Sequence, residues 1–117
     1  MSDHAFRVYK SIRYIEQHLF EPLDLATVAK VGAFSPFHFH RVFSSLIGKT
    51  VSDYIRTKRL GEAAQRLLRT EQSILDLALE CQFESQESFT RAFQKQYEIT
   101  PGRLRKEKKK IEAERVI

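Results

Sequence analysis

The sequence predicts an all-α fold in which one helix-turn-helix unit occurs twice, with a long helix between the two copies. Apolar residues recur at the three- and four-residue spacing of helices that bury one face. A pattern of alanine, phenylalanine and arginine occurs twice, which indicates a duplicated unit. Ser, Thr, Asp, Gly and Pro stand where these helices are expected to begin and end. With 117 residues and 42% hydrophobic content, the chain can bury a modest core.

The duplicated pattern has the form Ala-x4-Phe-x4/5-Phe-x-Arg-x-Phe. Its two copies are Ala29, Phe34, Phe39, Arg41 and Phe43, and Ala78, Phe83, Phe89, Arg91 and Phe93. The first two members repeat at an offset of 49 residues and the last three at 50, so the second copy has one extra residue, Glu84, in its turn. Two copies are too few for a solenoid. We therefore interpret the unit as a structural motif used in tandem.

Capping residues divide the first 50 residues of the chain into three helices. The first helix covers about residues 5–19, where apolar residues recur at helical spacing. A carboxylate is expected to cap the second helix, a Ser-Pro pair opens the third, and a glycine follows each of these two. These capping residues are Asp24, Gly32, Ser35 with Pro36, and Gly48.

The second copy repeats these signals with different residues. Ser73 and Ser85 are expected to cap its two helices, and Thr50 and Thr100 to open the helix that follows each copy. Between the copies, apolar residues from Tyr54 to Leu68 predict a helix of about 17 residues, or about 25 Å. We expect a first helix-turn-helix subdomain over residues 1–50, a linker helix over 51–69, and a second subdomain with a basic tail over 70–117.

Charge and cysteine content narrow the function classes. Twenty Lys and Arg against 15 Asp and Glu give a net charge of +5, which suits a polyanionic partner. A single cysteine, Cys81, excludes an internal disulfide and most structural zinc patterns, and it fits a reducing compartment. No apolar run approaches the roughly 18 residues of a membrane span, and the first residues do not resemble a signal peptide. A cytoplasmic protein is expected.

Neither a metal centre nor catalysis is predicted. His38 and His40 lie two residues apart, about 200° around a helix, and so cannot share a metal as residues four apart could. No histidine has a spacing that suggests an activated nucleophile. We expect no enzyme activity and no cofactor.

A helical projection separates a core side from an outer side on the third helix of each copy. At 100° per residue, the core side of the first holds Phe39, Val42, Phe43 and Leu46, and its outer side Phe37, Arg41, Ser44 and Ser45. In the second copy the core side holds Phe89, Ala92, Phe93 and Gln96, and the outer side Glu87, Arg91, Gln94 and Lys95. The two arginines therefore hold equivalent outward positions.

An outward arginine on a helix suits the major groove of DNA. The groove is about 12 Å wide, admits one α-helix, and displays donor, acceptor and methyl patterns that differ between base pairs. Arginine can bond guanine O6 and N7, Phe37 can pack on thymine methyls, Gln86 can bridge adenine, and Glu87 can accept from cytosine N4. We predict base contacts from Phe37, His40, Arg41, Gln86, Glu87, Thr90 and Arg91.

Residues beside these helices, at helix starts and in the basic tail are expected to contact DNA phosphates. They are Ser35, His38, Ser45, Lys49, Thr50, Ser85, Lys95, Thr100, Arg103, Arg105 and Lys106. The basic stretch over residues 103–110 can extend the last helix. It serves either as a solvated tail or in phosphate contact.

Over about residues 5–107, the chain closely resembles the DNA-binding domain of the AraC/XylS family of bacterial transcription regulators. The specific stretches are Tyr54-Ile-Arg-x3-Leu60 with Ala63 and Leu67, and Phe83-x5-Phe89-x-Arg91-x-Phe93-x10-Leu104-Arg105. Within the family, Phe83-Glu-Ser-Gln-Glu-Ser-Phe-Thr-Arg91 is similar to the second recognition helix of the MarA, SoxS and Rob branch. The resemblance implies about seven helices, two helix-turn-helix subdomains joined by a long helix, and recognition helices in adjacent major-groove segments.

In that branch, Phe37, Arg41, Gln86, Glu87 and Arg91 match positions that contact bases. Two residues depart from the branch, which usually has Trp at the position of Phe37 and a second Gln at that of Glu87. The preferred DNA sequence is therefore expected to differ.

Three functions remain open from the sequence. The first is a stand-alone transcription activator that binds promoter DNA as a monomer and touches RNA polymerase. Its site would be asymmetric, and bent, because groove segments one turn apart have centres about 34 Å apart and the linker helix is shorter. The second is the DNA-binding half of a longer ligand-sensing regulator. The third is a helical protein-interaction module that uses Phe37 and its neighbours.

Overall fold

The computed structural model describes residues 3–115, which form seven α-helices and no strand. The helices are α1 (Asp3–Gln17), α2 (Leu25–Val31), α3 (Pro36–Ile47), α4 (Val51–Arg69), α5 (Ile74–Glu80), α6 (Gln86–Tyr97) and α7 (Pro101–Arg115). The all-α class and the helix order are as predicted, with α1 about two residues earlier than expected. Residues 1–2 and 116–117, which the predicted subdomains include, lie outside the described residues. None of the seven helices is long and apolar enough to cross a bilayer.

Side-chain caps begin the helices at the expected residues. The carboxylate of Asp24 accepts from the backbone N–H of Thr27 at 2.8 Å, and the hydrogen bonds from Thr27 hold the pKa of Asp24 below its usual value. The other caps accept from the backbone three residues ahead: Ser35 at 3.3 Å, Thr50 at 3.1 Å, Ser73 at 3.0 Å, Ser85 at 3.1 Å and Thr100 at 3.3 Å.

The turn between the two helices of each pair has the same backbone geometry in both copies. Ala33 has φ 61° and the Phe34 N–H donates to the carbonyl of Ala29 at 3.0 Å. Gln82 has φ 66° and the Phe83 N–H donates to Ala78 at 3.0 Å. The Ala and first Phe of the sequence pattern are therefore the two ends of one closed turn. The inserted Glu84 follows that turn and precedes the cap of α6.

The chain divides into two compact units, Met1–Lys58 and Arg59–Ile117, and each contains a row of aromatic rings. In the first unit the row is Phe34, Phe39, Phe43 and Tyr54, with successive centroid distances of 5.8, 5.5 and 5.5 Å. In the second it is Phe83, Phe89, Phe93 and Tyr97, with distances of 5.6, 5.8 and 4.9 Å. The second and third rings of each row are fully buried. These phenylalanines are core residues, as their spacing predicted.

The boundary between the units falls inside α4, because the second half of α4 repeats α1. The buried residues of α1 are Val8, Ser11 and Ile15, and those of the second half of α4 are Leu60, Ala63 and Leu67. Their spacing is identical, at an offset of 52 residues. The repeated unit therefore has three helices: α1–α3 in the first copy, and the second half of α4 with α5 and α6 in the second. The sequence pattern revealed only two of them because it begins in the second helix.

The contact between the first two helices of each unit is built differently in the two copies. Gly32 approaches α1 so closely that a Cβ there would lie 2.7 Å from the carbonyl oxygen of Arg7 and 2.8 Å from Oγ of Ser11. In the second unit Cys81 takes this place, and its thiol donates to the carbonyl of Arg59 at 3.6 Å. Burial raises the pKa of Cys81 to about 12, so it remains a neutral packing group.

Substituting Gly32→Ala is expected to lower the free energy of unfolding by about 1–3 kcal/mol, because the new methyl group must displace backbone. Urea denaturation followed by circular dichroism measures this. The matched control is Gly61→Ala inside α4, where a Cβ would lie 3.4 Å from the Tyr97 hydroxyl, an ordinary van der Waals distance. Alanine has the higher helix propensity, so this control is expected to be neutral or to stabilise by up to about 1 kcal/mol. Equal stability of the two variants would contradict the close approach at Gly32.

The projection of α3 onto core and outer sides was wrong at the end of the helix. Leu46, expected in the core, is 49% exposed, whereas Ser44, expected outside, is partly buried with its Oγ shielded from solvent. A projection gives the angle of a side chain around the axis, but not whether a neighbouring element covers that turn. Phe39 and Phe43 lie in the core cluster of the unit, and Leu46 lies beyond it near the end of α3.

Candidate nucleic-acid interface

The outer face of α3 presents an aromatic ring and a guanidinium group to solvent. Phe37 is 72% exposed, and the guanidinium carbon of Arg41 lies 5.8 Å from the centre of its ring. His40 and Ser45 are also exposed on this helix. The remaining predicted contacts of the first unit, Ser35, His38, Lys49 and Thr50, are exposed around its two ends and along it.

The face of α6 has the same arrangement with different side chains. Gln86, Glu87, Arg91 and Lys95 are exposed, whereas Thr90 is partly buried. Arg91 follows Arg41 at an offset of 50 residues, so the two arginines occupy equivalent places on equivalent helices. Neither forms an ion pair with another residue of the described range 3–115, unlike Arg56, Arg66 and Arg103. Both guanidinium groups are available to an external acceptor.

Arg7 of α1 holds the turn that precedes α3. Its Nε donates to the carbonyl of Gly32 at 2.8 Å, its Nη2 donates to the carbonyl of Ala33, and its guanidinium carbon lies 4.0 Å from the centre of the Phe34 ring. The carboxylate of Asp3 lies 3.3 Å from Nη1. These contacts fix the turn from which α3 starts, so Arg7 is a positioning residue that the sequence analysis missed. Its partners are 25 to 27 residues away, and only the folded chain shows them.

Two histidines lie beside the outer face of α3. The rings of His4 on α1 and His38 on α3 are 5.2 Å apart at an interplanar angle of 83°, and both approach the ring of Phe34. They border a surface cavity of about 410 Å³ whose lining residues are His4, His38, Arg41, Val42, Ser45 and Leu46. His38 was predicted to contact phosphate, whereas His4 was not singled out.

The three residues of α7 that were predicted to contact phosphate differ in whether they already have partners within the protein. Arg105 donates from Nε to the carbonyl of Leu67 and from Nη2 to that of Thr70, both at 3.2 Å, and so caps the end of α4. Arg103 pairs with Glu107 at 3.5 Å. Lys106 is exposed and has no ion pair within the described part of the chain. The basic stretch does extend the last helix, as predicted, but Arg105 is already engaged within the protein.

Comparison with known proteins gives a consistent set of relatives. Residues 28–107 match a family model described as a helix-turn-helix domain. The chain is 49% identical over 98 residues to the uncharacterized HTH-type transcriptional regulator YbfP of Bacillus subtilis, which covers 84% of this chain and 33% of that protein. It is 39% identical over 104 residues to the right origin-binding protein of Escherichia coli, covering 89% of this chain and 36% of that protein. The chain thus spans about a third of the length of these two relatives.

A shorter relative and two solved structures match over most of their length. Regulatory protein SoxS of Escherichia coli is 37% identical over 94 residues, covering 80% of this chain and 88% of SoxS. An AraC-type transcriptional regulator from Chromobacterium violaceum superimposes with a TM-score of 0.83 at 27% identity, covering 89% of this chain and 93% of that one. The DNA-binding domain of AdpA, solved in complex with a target DNA, superimposes with a TM-score of 0.78 at 26% identity, covering 85% and 89%.

Proposed function

The chain belongs to the helix-turn-helix family of AraC-type transcription regulators, and from this premise we propose that α3 and α6 enter major-groove segments of one promoter site. The observation that carries the proposal is the pair of exposed arginines, Arg41 and Arg91, at equivalent positions of two copies of one fold. A surface arginine that pairs with no carboxylate is free to form two hydrogen bonds with guanine O6 and N7. Because such an arginine occurs at the same place in both units, a role in binding is favoured over a role in solubility alone.

The two helices present different chemistry to DNA. α3 offers Phe37, an apolar group suited to thymine methyls, next to Arg41 and His40. α6 offers an amide, a carboxylate and a hydroxyl, from Gln86, Glu87 and Thr90, next to its arginine. We expect unlike sequences in the two halves of the site. Because Thr90 is partly buried, its contribution is expected to be smaller than that of its neighbours.

Phosphate contacts are proposed to hold the helices in register on the duplex. Caps and flanking residues serve this purpose in both units: the exposed Ser35, His38, Ser45, Lys49, Thr50, Ser85 and Lys95, and the partly buried Thr100. In α7 we assign the strongest contact to Lys106, which is exposed and unpaired, followed by Arg103, which would have to leave Glu107. Arg105 can reach a phosphate only by giving up its bonds to the end of α4.

Since both recognition helices belong to one polypeptide, we propose that a monomer occupies an asymmetric site. We also propose that the duplex in this site is bent, so that it follows two recognition helices of one chain. A bend of 40–90° costs on the order of 1–6 kcal/mol, less at flexible pyrimidine–purine steps.

We propose that the protein activates transcription through contact with RNA polymerase, in the cytoplasm, without enzymatic activity.

A second candidate is that the chain is the DNA-binding part of a longer regulator, because it spans only about a third of YbfP and of the right origin-binding protein. This alternative changes the control of DNA binding but not its mechanism. The third function left open by the sequence is a protein-interaction module that uses Phe37. In that case binding to DNA should not weaken as the salt concentration rises. If the chain is a DNA-binding protein, its affinity for DNA should fall steeply with salt, because binding releases counterions from the phosphates.

Selection of bound sites from random duplexes tests the proposed function. We expect one asymmetric consensus with two unlike halves about one helical turn apart, and circular-permutation gels that show a bend in the selected site. A palindromic consensus would contradict monomeric binding. Failure to enrich any sequence, with weak and salt-insensitive binding, would contradict the DNA-binding function itself.

A further inference from the structure

The cavity between the start of α1 and the flank of α3 has a polar, cationic part and an apolar part. Four of its six lining residues are polar or cationic, namely His4, His38, Arg41 and Ser45, and none of the six is a carboxylate. Val42 and Leu46 form the apolar part, and Leu46 is half exposed there. An anionic group attached to a small apolar body would satisfy both kinds of wall.

A nucleotide of the DNA backbone is such a group. Its phosphate accepts hydrogen bonds from imidazole, hydroxyl and guanidinium donors, and its deoxyribose offers C–H groups to aliphatic side chains. The cavity adjoins Arg41, which is proposed to contact a base, so a backbone unit of the same site passes close to it. Its volume of about 410 Å³ is ample for one sugar and one phosphate.

The internal repeat supplies an independent argument. At the offset of 52 residues that relates α1 to α4, the position of His4 corresponds to Arg56. At the offset of 50 that relates α3 to α6, Ser45 corresponds to Lys95. Arg56 pairs with Asp53 at 2.5 Å, whereas Lys95 is exposed and has no ion pair within residues 3–115. The exposed cation at Lys95 favours an anion-binding role for its counterpart, Ser45.

We propose that His4 of α1, together with His38 and Ser45 of α3, binds a DNA backbone phosphate next to the bases contacted by Arg41, with His4 in its protonated form. This inference rests on the proposed DNA-binding function. It adds α1 to the DNA interface, and it makes the affinity of the first half-site depend on pH. An imidazole gains its charge within about pH 5–8, the range in which this dependence is expected.

The sign follows from the groups that face His4. His38 and Arg41 on α3 and Arg7 on α1 are cations or potential cations, and the carboxylate of Asp3, on the same helix as His4, lies 3.3 Å from Arg7. A bound phosphate favours the protonated rings, because its negative charge stabilises both imidazolium groups. Binding therefore takes up protons, and DNA affinity falls as pH rises from 6 to 8.

The test compares His4→Gln with the wild type on a selected duplex, at pH 6.0 and 8.0 and constant ionic strength. We expect His4→Gln to bind roughly three- to tenfold more weakly at pH 6.0 and within about twofold of the wild type at pH 8.0. His4→Arg is expected to bind more tightly than the wild type at pH 8.0, and to keep only the part of the pH dependence that comes from His38. The matched control His18→Gln removes a partly buried ring paired with Glu21, outside the cavity, and should keep the wild-type profile.

His4 is exposed in the first turn of α1, so these variants are expected to fold, which circular dichroism checks. If His4→Gln and the wild type have the same pH profile on a duplex that both bind, the phosphate site is overturned and the proposed function stands. If inorganic phosphate shifts the His4 ring protons in nuclear magnetic resonance spectra while DNA affinity ignores His4→Gln, the cavity takes free anions and the inference also fails. If the wild type binds no duplex in a salt-dependent manner, the proposed function fails with it.

Discussion

Replacing Arg41 or Arg91 with alanine is expected to weaken binding to the selected site by about 1–3 kcal/mol each, or roughly fivefold to more than hundredfold. Each substitution removes a guanidinium that would form two hydrogen bonds with one guanine. Neither arginine pairs with a carboxylate within residues 3–115, so neither substitution breaks an ion pair inside the protein. The free energy of unfolding should change by less than about 0.5 kcal/mol.

The two losses should be local in the DNA sequence. Site selection with Arg41→Ala is expected to lose base preference at one position in the half-site of α3, and with Arg91→Ala in the half-site of α6. Fluorescence anisotropy with single-base-pair variants of the site measures this. Arg13→Ala is a suitable control, because Arg13 is exposed on α1 and does not line the cavity beside α3. It should cost little affinity and leave the consensus unchanged.

A uniform loss on specific and random duplexes would argue against base contacts by the two arginines. It would assign them to phosphates, where removing one contact lowers the salt slope by about 1 without changing sequence preference. Lys106→Ala is expected to behave in that way. The two classes of contact are therefore distinguishable in the same assay.

Local chemistry explains why much of the fold could be predicted from the sequence. Asp24, Ser35 and Ser85 cap helices with bonds to residues three positions ahead, so both partners are visible in a short stretch of chain. The buried phenylalanines follow the period of a helix that buries one face. The closed turns of both units repeat with the duplicated pattern.

What the sequence could not show depends on contacts between distant residues. Arg7 donates hydrogen bonds to a turn about 26 residues away, and the ring of His4 contacts that of His38 because α1 packs against α3. Arg105 was predicted to contact phosphate from its position in a basic stretch, yet it caps a helix 35 to 38 residues earlier in the chain. In each case the charge of the residue was evident, but its partner was not.

The helical projection succeeded in the middle of α3 and failed at its end for a related reason. Periodicity assigns Phe39 and Phe43 to the core because other elements of the unit cover those turns. At Leu46 the same periodicity holds, but the side chain lies at the rim of the cavity and remains half exposed. A side chain on the core side of a helix is therefore buried only where another element of the unit covers it.

Phe37 and Phe39 offer the sharpest separation of binding from folding, since they lie two residues apart on one helix and face nearly opposite ways. Phe39 is fully buried between the rings of Phe34 and Phe43, at centroid distances of 5.8 and 5.5 Å. Phe39→Ala is expected to lower the free energy of unfolding by about 3–5 kcal/mol, through lost burial and the cavity left behind. That is a large part of the 5–15 kcal/mol that stabilises a typical domain.

Phe37→Ala should have the opposite profile. Its ring is 72% exposed, so the unfolding free energy is expected to change by less than about 0.5 kcal/mol, while affinity for the selected site falls and preference for thymine in the α3 half-site weakens. Thermal denaturation, amide hydrogen exchange in α3 and anisotropy on the same duplex measure all three effects. Loss of stability in Phe37→Ala would mean that the ring packs within the protein and faces no base. Full DNA affinity in a stably folded Phe37→Ala would mean that α3 contacts bases without its most exposed side chain, leaving Arg41 and His40 as the source of its specificity.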